Sequence, residues 1–378
     1  MKPSLQLLLN GADITANLSQ YLISATVVDV SGNNADTLDV VLTDPDRRIR
    51  APREGQTLTA VGRFGLANRV FGEFTIDQTT FSGDDSGDTI AINAQSLNPR
   101  SGAHQRRTKS YSQKDYPTYG DILKELAGRM ELKPAISDEI SKEKNEFEAQ
   151  TEESDIEFAS RLGTSLDALV SSKKGRLIVA KRGKGEKTSG EPIPQVHVIY
   201  GFNVISYQVF SKDKPRYKKV RAKYYDRAKR KNVVVEEKTE SKDGIDLDIR
   251  EVFQSKAEAE RAVKSKISEV SREEGDAEFV IHGNVNVIAE GFALVAIRPE
   301  IDGLWTIESV TNTFTGSDAF NTTLHCKPPS GGDKKRESGS GDAQKAKQAV
   351  SATSPEGNTS EFAPDFSNIG LNEGDGPE

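Results

Sequence analysis

Gly72-Glu73-Phe74-Thr75-Ile76-Asp77 and Gly303-Leu304-Trp305-Thr306-Ile307-Glu308 are the two stretches that decide the fold. Each reads glycine, any residue, aromatic, threonine, isoleucine, acid. Each is then followed by a phenylalanine, a hydroxyl residue and a glycine in an acidic turn, and by another strand pattern. In a strand, residues two positions apart point to the same face, so the aromatic and the isoleucine would fill one core. The sequence therefore predicts two similar β modules, with Phe74 and Ile76 equivalent to Trp305 and Ile307.

Alternation of apolar residues extends the β pattern around the first stretch. Leu38, Val40 and Leu42 take every second position, and Ile90 and Ile92 do the same. Such runs, separated by Ser-Gly-Asn-Asn and Ser-Gly-Asp-Asp turns, indicate half-buried antiparallel strands. Residues 1–100 are therefore predicted to form the first β module.

The middle of the chain changes to helical spacing. Thr118 begins a short helix, and Ser154-Asp155-Ile156-Glu157 and Ser255-Lys256-Ala257-Glu258 are capping boxes that begin two more. We predict an α/β insertion at 101–190, and strands at 191–250 that complete the first β module and include a connecting basic segment. A helix and the second β module follow at 251–327, so the fold class is mainly β with α/β insertions (α+β).

The last part, residues 328–378, is a low-complexity C-terminal tail rich in Ser, Gly, Lys, Asp and Pro, and no basic residue follows Lys347. This composition buries too little apolar surface to offset the entropy of ordering, so the tail is expected to be disordered or docked on a partner. The candidate docking residues are Phe362, Phe366, Ile369 and Leu371.

Composition bounds the class of protein. The chain has 378 residues, 35% hydrophobic and 29% charged, with a net charge of −7, which gives no overall case for nucleic-acid binding. Its one cysteine, Cys326, rules out a disulfide within the chain. The first apolar run stops at Asn10-Gly11, and no later stretch approaches the ~20 apolar residues of a membrane span. We expect folding in the cytoplasm and no direct membrane insertion.

No constellation of residues predicts chemistry. The histidines, His104, His197, His282 and His325, are scattered without metal-ligand spacing. The Gly183-Lys184 loop lacks the spacing of a phosphate-binding loop, and acidic pairs such as Glu152-Glu153 lack a catalytic context. We predict no catalytic residue, no metal and no cofactor, and hence no enzyme.

A basic segment at 212–231 has interleaved tyrosines. Base stacking with phosphate contact is one interpretation, and a charged strand pair with a solvated face is the other. A third, intermediate interpretation is a basic surface that meets an acidic protein partner or lines a channel. The candidate basic surface comprises Lys218, Lys219, Arg221, Lys223, Arg227, Lys229, Arg230 and Lys231.

In this order of elements the chain resembles the late control protein D family of phages, the baseplate hub of contractile tails. Six stretches carry the resemblance: GADIT (11–15), ADTLDVVLTD (35–44), GEFTID (72–77), SDIEFASRL (154–162), SKAEAE (255–260) and IDGLWTI (301–307). The resemblance covers roughly residues 5–327 and excludes the tail. It implies that the two modules are tail-tube-like antiparallel β-barrels, the first at 1–100 completed by the strands at 191–250 and the second, with its helix, at 251–327. It also implies a pseudo-hexameric ring in the homotrimer.

The resemblance also implies a function. A hub of this kind is a trimeric adaptor that joins the sixfold tail tube to the trimeric central spike, in a phage or a phage-tail-like bacteriocin. Its partners would be other copies of itself, the tube and spike proteins, other baseplate proteins and the tape-measure protein. It would occupy the host bacterial cytoplasm during assembly and then the baseplate of the released particle. The alternatives are a cell-wall-degrading tail enzyme and a nucleic-acid-binding module that uses residues 212–231.

Overall fold

Two β units, which we call the N-terminal unit and the C-terminal unit, form the body of the chain. The computed structural model describes residues 3–32, 35–85, 87–96, 102–211, 217–239, 244–272, 275–316, 319–329 and 340–353. Within these ranges both units belong to one 13-stranded sheet, and three small sheets and six helices accompany it.

The N-terminal unit contains seven strands and one short helix, α1 (Thr15–Leu18). Its strands are β1 (Ser4–Leu9), β2 (Ala12–Asp13), β3 (Leu22–Val30), β4 (Thr37–Thr43), β5 (Thr57–Phe64), β6 (Ala67–Asp84) and β7 (Gly87–Gln95). They lie in the order β3-β4-β7-β6-β5-β1-β2. Leu38, Val40 and Leu42 on β4 are buried while their neighbours are half-buried, as the alternation predicts.

The C-terminal unit contains six strands: β13 (Val196–Ile199), β14 (Val204–Ser211), β18 (Gly275–His282), β19 (Phe292–Ala296), β20 (Gly303–Thr315) and β21 (Phe320–Lys327). They lie in the order β14-β18-β21-β20-β19, with β13 paired to β19. The structure thereby corrects the prediction that residues 191–250 complete the first barrel. β13 and β14 hydrogen-bond to β19 and β18, which are distant in sequence, and alternation does not reveal the partner of a strand.

The two units are joined through β20 and β3, which pair antiparallel from Ser309↔Val30 to Thr315↔Ser24. Phe314 and Phe320, from the C-terminal unit, stack at 4.2 Å and belong to the core of the N-terminal unit. Aromatic pairs at such distances add to the stabilisation from burial alone. The junction is therefore both hydrogen-bonded and apolar.

The α/β insertion forms its own core between the units. Its elements are a 3-10 turn (Gly102–His104), β8 (Arg106–Ser112), α2 (Tyr119–Arg129), β9 (Lys133–Ile136), α3 (Asp138–Ser141), β10 (Phe147–Ser154), α4 (Asp155–Ser165), β11 (Ala168–Lys173) and β12 (Arg176–Lys181). Ser154 and Glu157 form the predicted capping box, and Thr118 and Asp121 form another at the start of α2. The predicted insertion at 101–190 thus contains the helices and strands that its pattern indicates.

A three-stranded sheet interrupts the C-terminal unit between β14 and β18. It consists of β15 (Tyr217–Asp226), β16 (Lys231–Lys238) and β17 (Ile245–Phe253), and it is followed by α5 (Lys256–Arg272). Val220 and Ala222 of β15 pack against Ala259 and Val263 of α5. At the start of α5 the Ser255 hydroxyl accepts a hydrogen bond from the Glu258 amide, and the Glu258 carboxylate accepts one from the Gln254 amide.

A helix also lies within the predicted low-complexity tail. α6 (Ser340–Thr353) packs through Ala343 and Ala346 against Ile199, Leu294 and Ala296 of the C-terminal unit. Part of the segment beyond Pro328 therefore has its own secondary structure, which corrects the expectation of a wholly disordered or partner-docked tail. Composition misses this helix because small alanines can bury against a sheet without adding much hydrophobicity.

Candidate functional site

The repeated residues lie in two separate cores. Phe74 and Ile76 are buried in the core of the N-terminal unit, and Trp305 and Ile307 are buried in the core of the C-terminal unit. The Trp305 indole nitrogen donates to the Ile301 carbonyl at 2.9 Å, which satisfies its one polar group. Each stretch therefore contributes an aromatic residue and an isoleucine to the core of its own unit.

The two units also share one topology. In chain order the strands β1, β3, β4, β5, β6 and β7 correspond to β13, β14, β18, β19, β20 and β21, and both sets lie in the same spatial order. One pairing differs, because β1 is antiparallel to β5 whereas β13 is parallel to β19. Sequence patterns predicted two similar modules, but the six-strand correspondence is visible only in the hydrogen-bond pairing.

The second half of the sequence repeat is out of register. A β-bulge follows Ile76 on β6 and another follows Ile307 on β20, so the two bulges align. Counting from the bulges, Phe314 aligns with Gly83 and not with Phe81. Phe314 is buried, whereas Phe81 is 68% exposed.

Equivalent strand segments differ in what covers them. Beyond its bulge, β20 pairs with β21 on one edge and with β3 on the other. Beyond its bulge, β6 pairs only with β7 within the described residues. The strand β14 corresponds to β3, and among the residues that the structure describes it pairs only with β18. Within the described ranges, one long strand edge on each unit is therefore unpaired, and we call these edges the β6 edge and the β14 edge.

Large apolar side chains accompany these edges. Ile205, Tyr207 and Phe210 of β14 are 47%, 38% and 50% exposed, and Phe81 of β6 is exposed as well. An exposed edge with apolar side chains is a template for pairing with another strand. These two edges are the strongest candidate assembly surface of the chain.

A buried charge cluster joins the N-terminal unit, the insertion and the C-terminal unit. Asp29 on β3 accepts hydrogen bonds from Lys173 on β11 and from Arg69 on β6, the latter at 2.9 Å. Arg69 also donates to the carbonyls of Val285 and Val287 in the C-terminal unit. Removing one partner from a buried ion pair leaves an uncompensated charge, so the cluster holds the three parts in one arrangement.

Asp36 adds a second carboxyl to this cluster. It accepts from the Val30 amide at 3.1 Å and lies 3.2 Å from the Lys173 ammonium. Burial raises the pKa of Asp36 to about 6, and the neighbouring Asp29 charge adds to the rise. Burial opposes the charge of Lys173, but Asp29 and Asp36 raise its pKa above the ordinary lysine value. The sequence signal that could have located this cluster is Asp29 itself, an acid at the inward position of an alternating strand.

The basic residues of the predicted surface do not act as one group. Lys218, Lys219, Arg221 and Lys229 lie within 4 Å of carboxylates: Asp246, Glu236, Asp248 and Asp226 are their respective nearest partners. Four other cations are exposed and have no ion pair among residues 217–239 and 244–253: Lys223, Arg227, Arg230 and Lys231. We call these four the hairpin tip. Tyr225 and Val234 beside them are 46% and 50% exposed.

Side chains that could support metal or redox chemistry are dispersed over the described part of the chain. The described ranges contain no group of three His, Cys, Asp or Glu side chains that could hold a metal ion. Cys326 is buried, and burial raises the pKa of its thiol well above the usual range. Lys184 of the Gly183–Thr188 loop forms an ion pair with Glu139.

The candidate docking residues Phe362, Phe366, Ile369 and Leu371 lie outside the described residues. Among the helices that the structure describes, none combines the length and apolar character required to cross a membrane.

Comparison with known proteins gives a family match. The family model for the phage tail baseplate hub (GPD) matches residues 96–317, which is more than half of the chain. A probable baseplate hub protein of Escherichia phage 186 is 35% identical over 197 residues, which make up 52% of this chain and 49% of that protein. The chain thus spans about half the length of the curated relatives it matches.

Solved structures share the fold. The 43 kDa tail protein of prophage MuSo2 from Shewanella oneidensis superposes with a TM-score of 0.65 at 15% identity, covering 86% of this chain and 98% of that one. An Escherichia coli protein described as a component of the type VI secretion system superposes with a TM-score of 0.52 at 10% identity, covering 86% and 76%. At these identities the likeness concerns the fold alone.

Proposed function

This chain belongs to the phage tail baseplate hub (GPD) family, and we propose that it is the structural hub of a contractile tail. The family match confirms the resemblance found in the sequence. In the proposed role the chain is a non-enzymatic homotrimer that joins the sixfold tail tube to the trimeric central spike. Its place is the baseplate of a phage tail or of a phage-tail-like bacteriocin, after assembly in the host cytoplasm.

The shared topology of the two units supports the adaptor role. We propose that each unit is one tail-tube-like β-barrel, so that three chains present six similar barrels in a pseudo-hexameric ring. Such a ring meets a sixfold tube on one side while keeping true threefold symmetry for the spike. The buried Asp29–Lys173–Arg69 cluster supports a rigid body that transmits contraction force.

The observation that carries the proposal is the pair of unpaired edges. Inside one chain, β20 of the C-terminal unit pairs with β3 of the N-terminal unit. The equivalent strands β6 and β14 lack that partner among the described residues. We propose that the β6 edge of one copy pairs with the β14 edge of the next, which repeats the internal junction between copies and closes the ring.

The register of the internal junction predicts the register between copies. Thr313 of β20 lies opposite Thr26 of β3, and the aligned bulges make Ser82 equivalent to Thr313. Following the pairings through β4 and β18 in the same way makes Gln208 equivalent to Thr26. Ser82 of one copy should therefore face Gln208 of its neighbour.

Disulfide trapping tests this arrangement. The variant Ser82→Cys with Gln208→Cys should form covalently linked oligomers on non-reducing gels, up to a closed trimer. The matched control, Phe81→Cys with Gln208→Cys, should not, because neighbouring strand residues point to opposite faces. The native Cys326 is buried and should not interfere. If the chain stayed monomeric both alone and in the presence of tube and spike proteins, the proposed hub function would be refuted.

The remaining surfaces are proposed to contact other tail proteins. The hairpin tip is proposed to meet an acidic surface of the tube, spike, tape-measure or another baseplate protein, or to line the channel. The segment with Phe362, Phe366, Ile369 and Leu371 is proposed to dock on a neighbouring tail protein. Deleting residues 332–378 should then impair assembly, and unimpaired assembly would refute the docking.

Absence of activity can be tested separately. Zymography of the purified chain against peptidoglycan should give no clearing. A cleared zone that disappears when one acidic pair is mutated would replace the structural role by an enzymatic one. Salt-sensitive DNA binding through residues 212–231 would instead favour the nucleic-acid alternative.

A further inference from the structure

A cavity of about 290 Å³ opens at one end of the N-terminal unit. Its floor is apolar and buried, and its mouth lies between α1 and the loop that follows β4. The floor is formed by Leu7, Val40, Leu42, Leu58 and Ile92. The volume is near the lower end of the range for ligand pockets, about 300 Å³, and suits one large side chain better than a cofactor. We call this cavity the socket.

One wall of the mouth is held by Thr15. The Thr15 hydroxyl accepts from the Leu7 amide at 2.9 Å, and the Ile14 amide donates to the Leu7 carbonyl at 3.0 Å. These bonds fix α1 against β1, so that Ile14 and Leu18 line the opening. The socket is therefore formed before any ligand enters.

The other wall is held by Asp44. Its buried carboxylate accepts from the amides of Arg48, at 2.9 Å, and of Ile49, at 3.2 Å. Ile49 consequently points into the wall while Arg48 and Arg50 remain exposed at the rim.

The rim is positively charged. The nearby Arg47 is paired with Asp88, whereas Arg48 has, among the described residues, a single ion pair, a 3.8 Å contact with the exposed Asp46. No ion pair involves Arg50 within the described part of the chain. Exposed pairs at such distances contribute little, so both guanidinium groups are available to a carboxylate ligand.

We propose that the socket receives a phenylalanine of the C-terminal segment of this chain, with the preceding carboxylate bound at the Arg48 and Arg50 rim. The segment offers the pair Glu361-Phe362 and the pair Asp365-Phe366. It is acidic throughout, with six carboxylates and no basic residue after Lys347. Its charge and its aromatic residues complement the rim and the apolar floor.

The segment follows a helix that the structure places on the C-terminal unit. The helix α6 is held on the C-terminal unit by Ala343, and Phe362 lies nine positions beyond its last residue, Thr353. Nine extended residues span about 30 Å, which is the scale of a small domain. The inference concerns the same segment as the proposed docking on a neighbouring tail protein, but it names this chain itself as the surface that receives a phenylalanine.

Photo-crosslinking of the purified full-length chain tests the proposal. A benzoylphenylalanine at position 362, and in a second variant at position 366, should form adducts with peptides that contain residues 14–21 or 48–52. The same probe at Asn372, beyond both phenylalanines, is the control and should give at most a few per cent of that adduct. Adducts elsewhere, or none from either position, would overturn the proposal.

Charge reversal provides the second test. The change Arg48→Glu with Arg50→Glu lies on exposed side chains and should lower the adduct yield at least fivefold. Adding Glu361→Arg and Asp365→Arg should restore it, and loss without restoration would contradict the charge pairing. The test needs no tube or spike protein. If the chain forms no ring but the socket adducts are present, only the proposed hub function is contradicted. If the ring forms but the socket adducts are missing, only the proposed socket contact is contradicted.

Discussion

Phe81 on β6 and Asn312 on β20 occupy the same position relative to the aligned bulges, yet Phe81 is 68% exposed and Asn312 is fully buried. The difference follows from β3, which covers β20 beyond its bulge but has no counterpart on β6 among the described residues. The Asn312 side-chain oxygen accepts a hydrogen bond from the Thr322 hydroxyl at 2.9 Å, which satisfies one of its buried polar atoms. The buried Asn312 fits a junction that is complete within the chain. The exposed Phe81 fits a junction that another copy of the chain completes.

Truncating Phe74 should destabilise the N-terminal unit far more than truncating Phe81. Both lie on β6, but Phe74 is 1% exposed. Phe74→Ala should lower the free energy of unfolding by about 3–5 kcal/mol because it leaves a cavity in the core. Phe81→Ala should change it by less than about 0.5 kcal/mol. Urea unfolding of both variants provides the measurement, and equal losses would contradict the burial.

The Asp36→Asn variant should change how stability depends on pH. The folded pKa of Asp36 is about 6, above its ordinary value, so the folded chain binds the proton more tightly than the unfolded chain. The stability from this group is present below about pH 4 and is lost as the pH rises through about 6.

Relative to the native chain, Asp36→Asn should therefore gain about 1–3 kcal/mol between pH 4 and pH 7. The pKa of Asp29 is lowered and that of Lys173 is raised, so both titrate mainly outside this window. Urea unfolding at several pH values measures the difference. If the free energy of unfolding changed with pH in the same way for both proteins, Asp36 would not titrate between pH 4 and pH 7.

Replacing Lys173 should be costly, whereas replacing its neighbour Lys174 should not. Lys173→Ala leaves Asp29 and Asp36 without their shared ammonium and should cost about 3–5 kcal/mol. Lys174 is exposed, so Lys174→Ala is the matched control. Thermal unfolding with limited proteolysis should show loosening between the N-terminal unit and the insertion in the first variant only. Identical midpoints would argue that the cluster does not couple these parts.

Reversing the hairpin tip should impair assembly without unfolding the chain. The variant Arg227→Glu, Arg230→Glu and Lys231→Glu alters exposed side chains that form no ion pair within residues 217–239 and 244–253, so its melting temperature should stay close to native. Binding to an acidic partner should fall at least tenfold, by pull-down from assembled tails. The control Arg227→Lys, Arg230→Lys and Lys231→Arg keeps the charges and should assemble normally. Equal binding by both triple variants would remove the tip from the interface.

Local patterns in the sequence determined much of this protein. Alternation located the strands of the N-terminal unit, the Ser154–Glu157 and Ser255–Glu258 pairs located two helix starts, and the repeated aromatic and isoleucine positions identified both cores. These features depend on a residue and its near neighbours, and a sequence displays them directly.

Only the tertiary structure decided which strands pair. It assigned β13 and β14 to the C-terminal unit, gathered Asp29, Asp36 and Lys173 from separate segments, and placed Ala343 of α6 against the sheet. It also showed that the end of β20 is paired with β3 whereas the equivalent end of β6 has no such partner among the described residues, although the two sequences are similar. The physical reason is that strand pairing and burial of charge depend on contacts between residues far apart in the chain, which alternation and local composition do not encode.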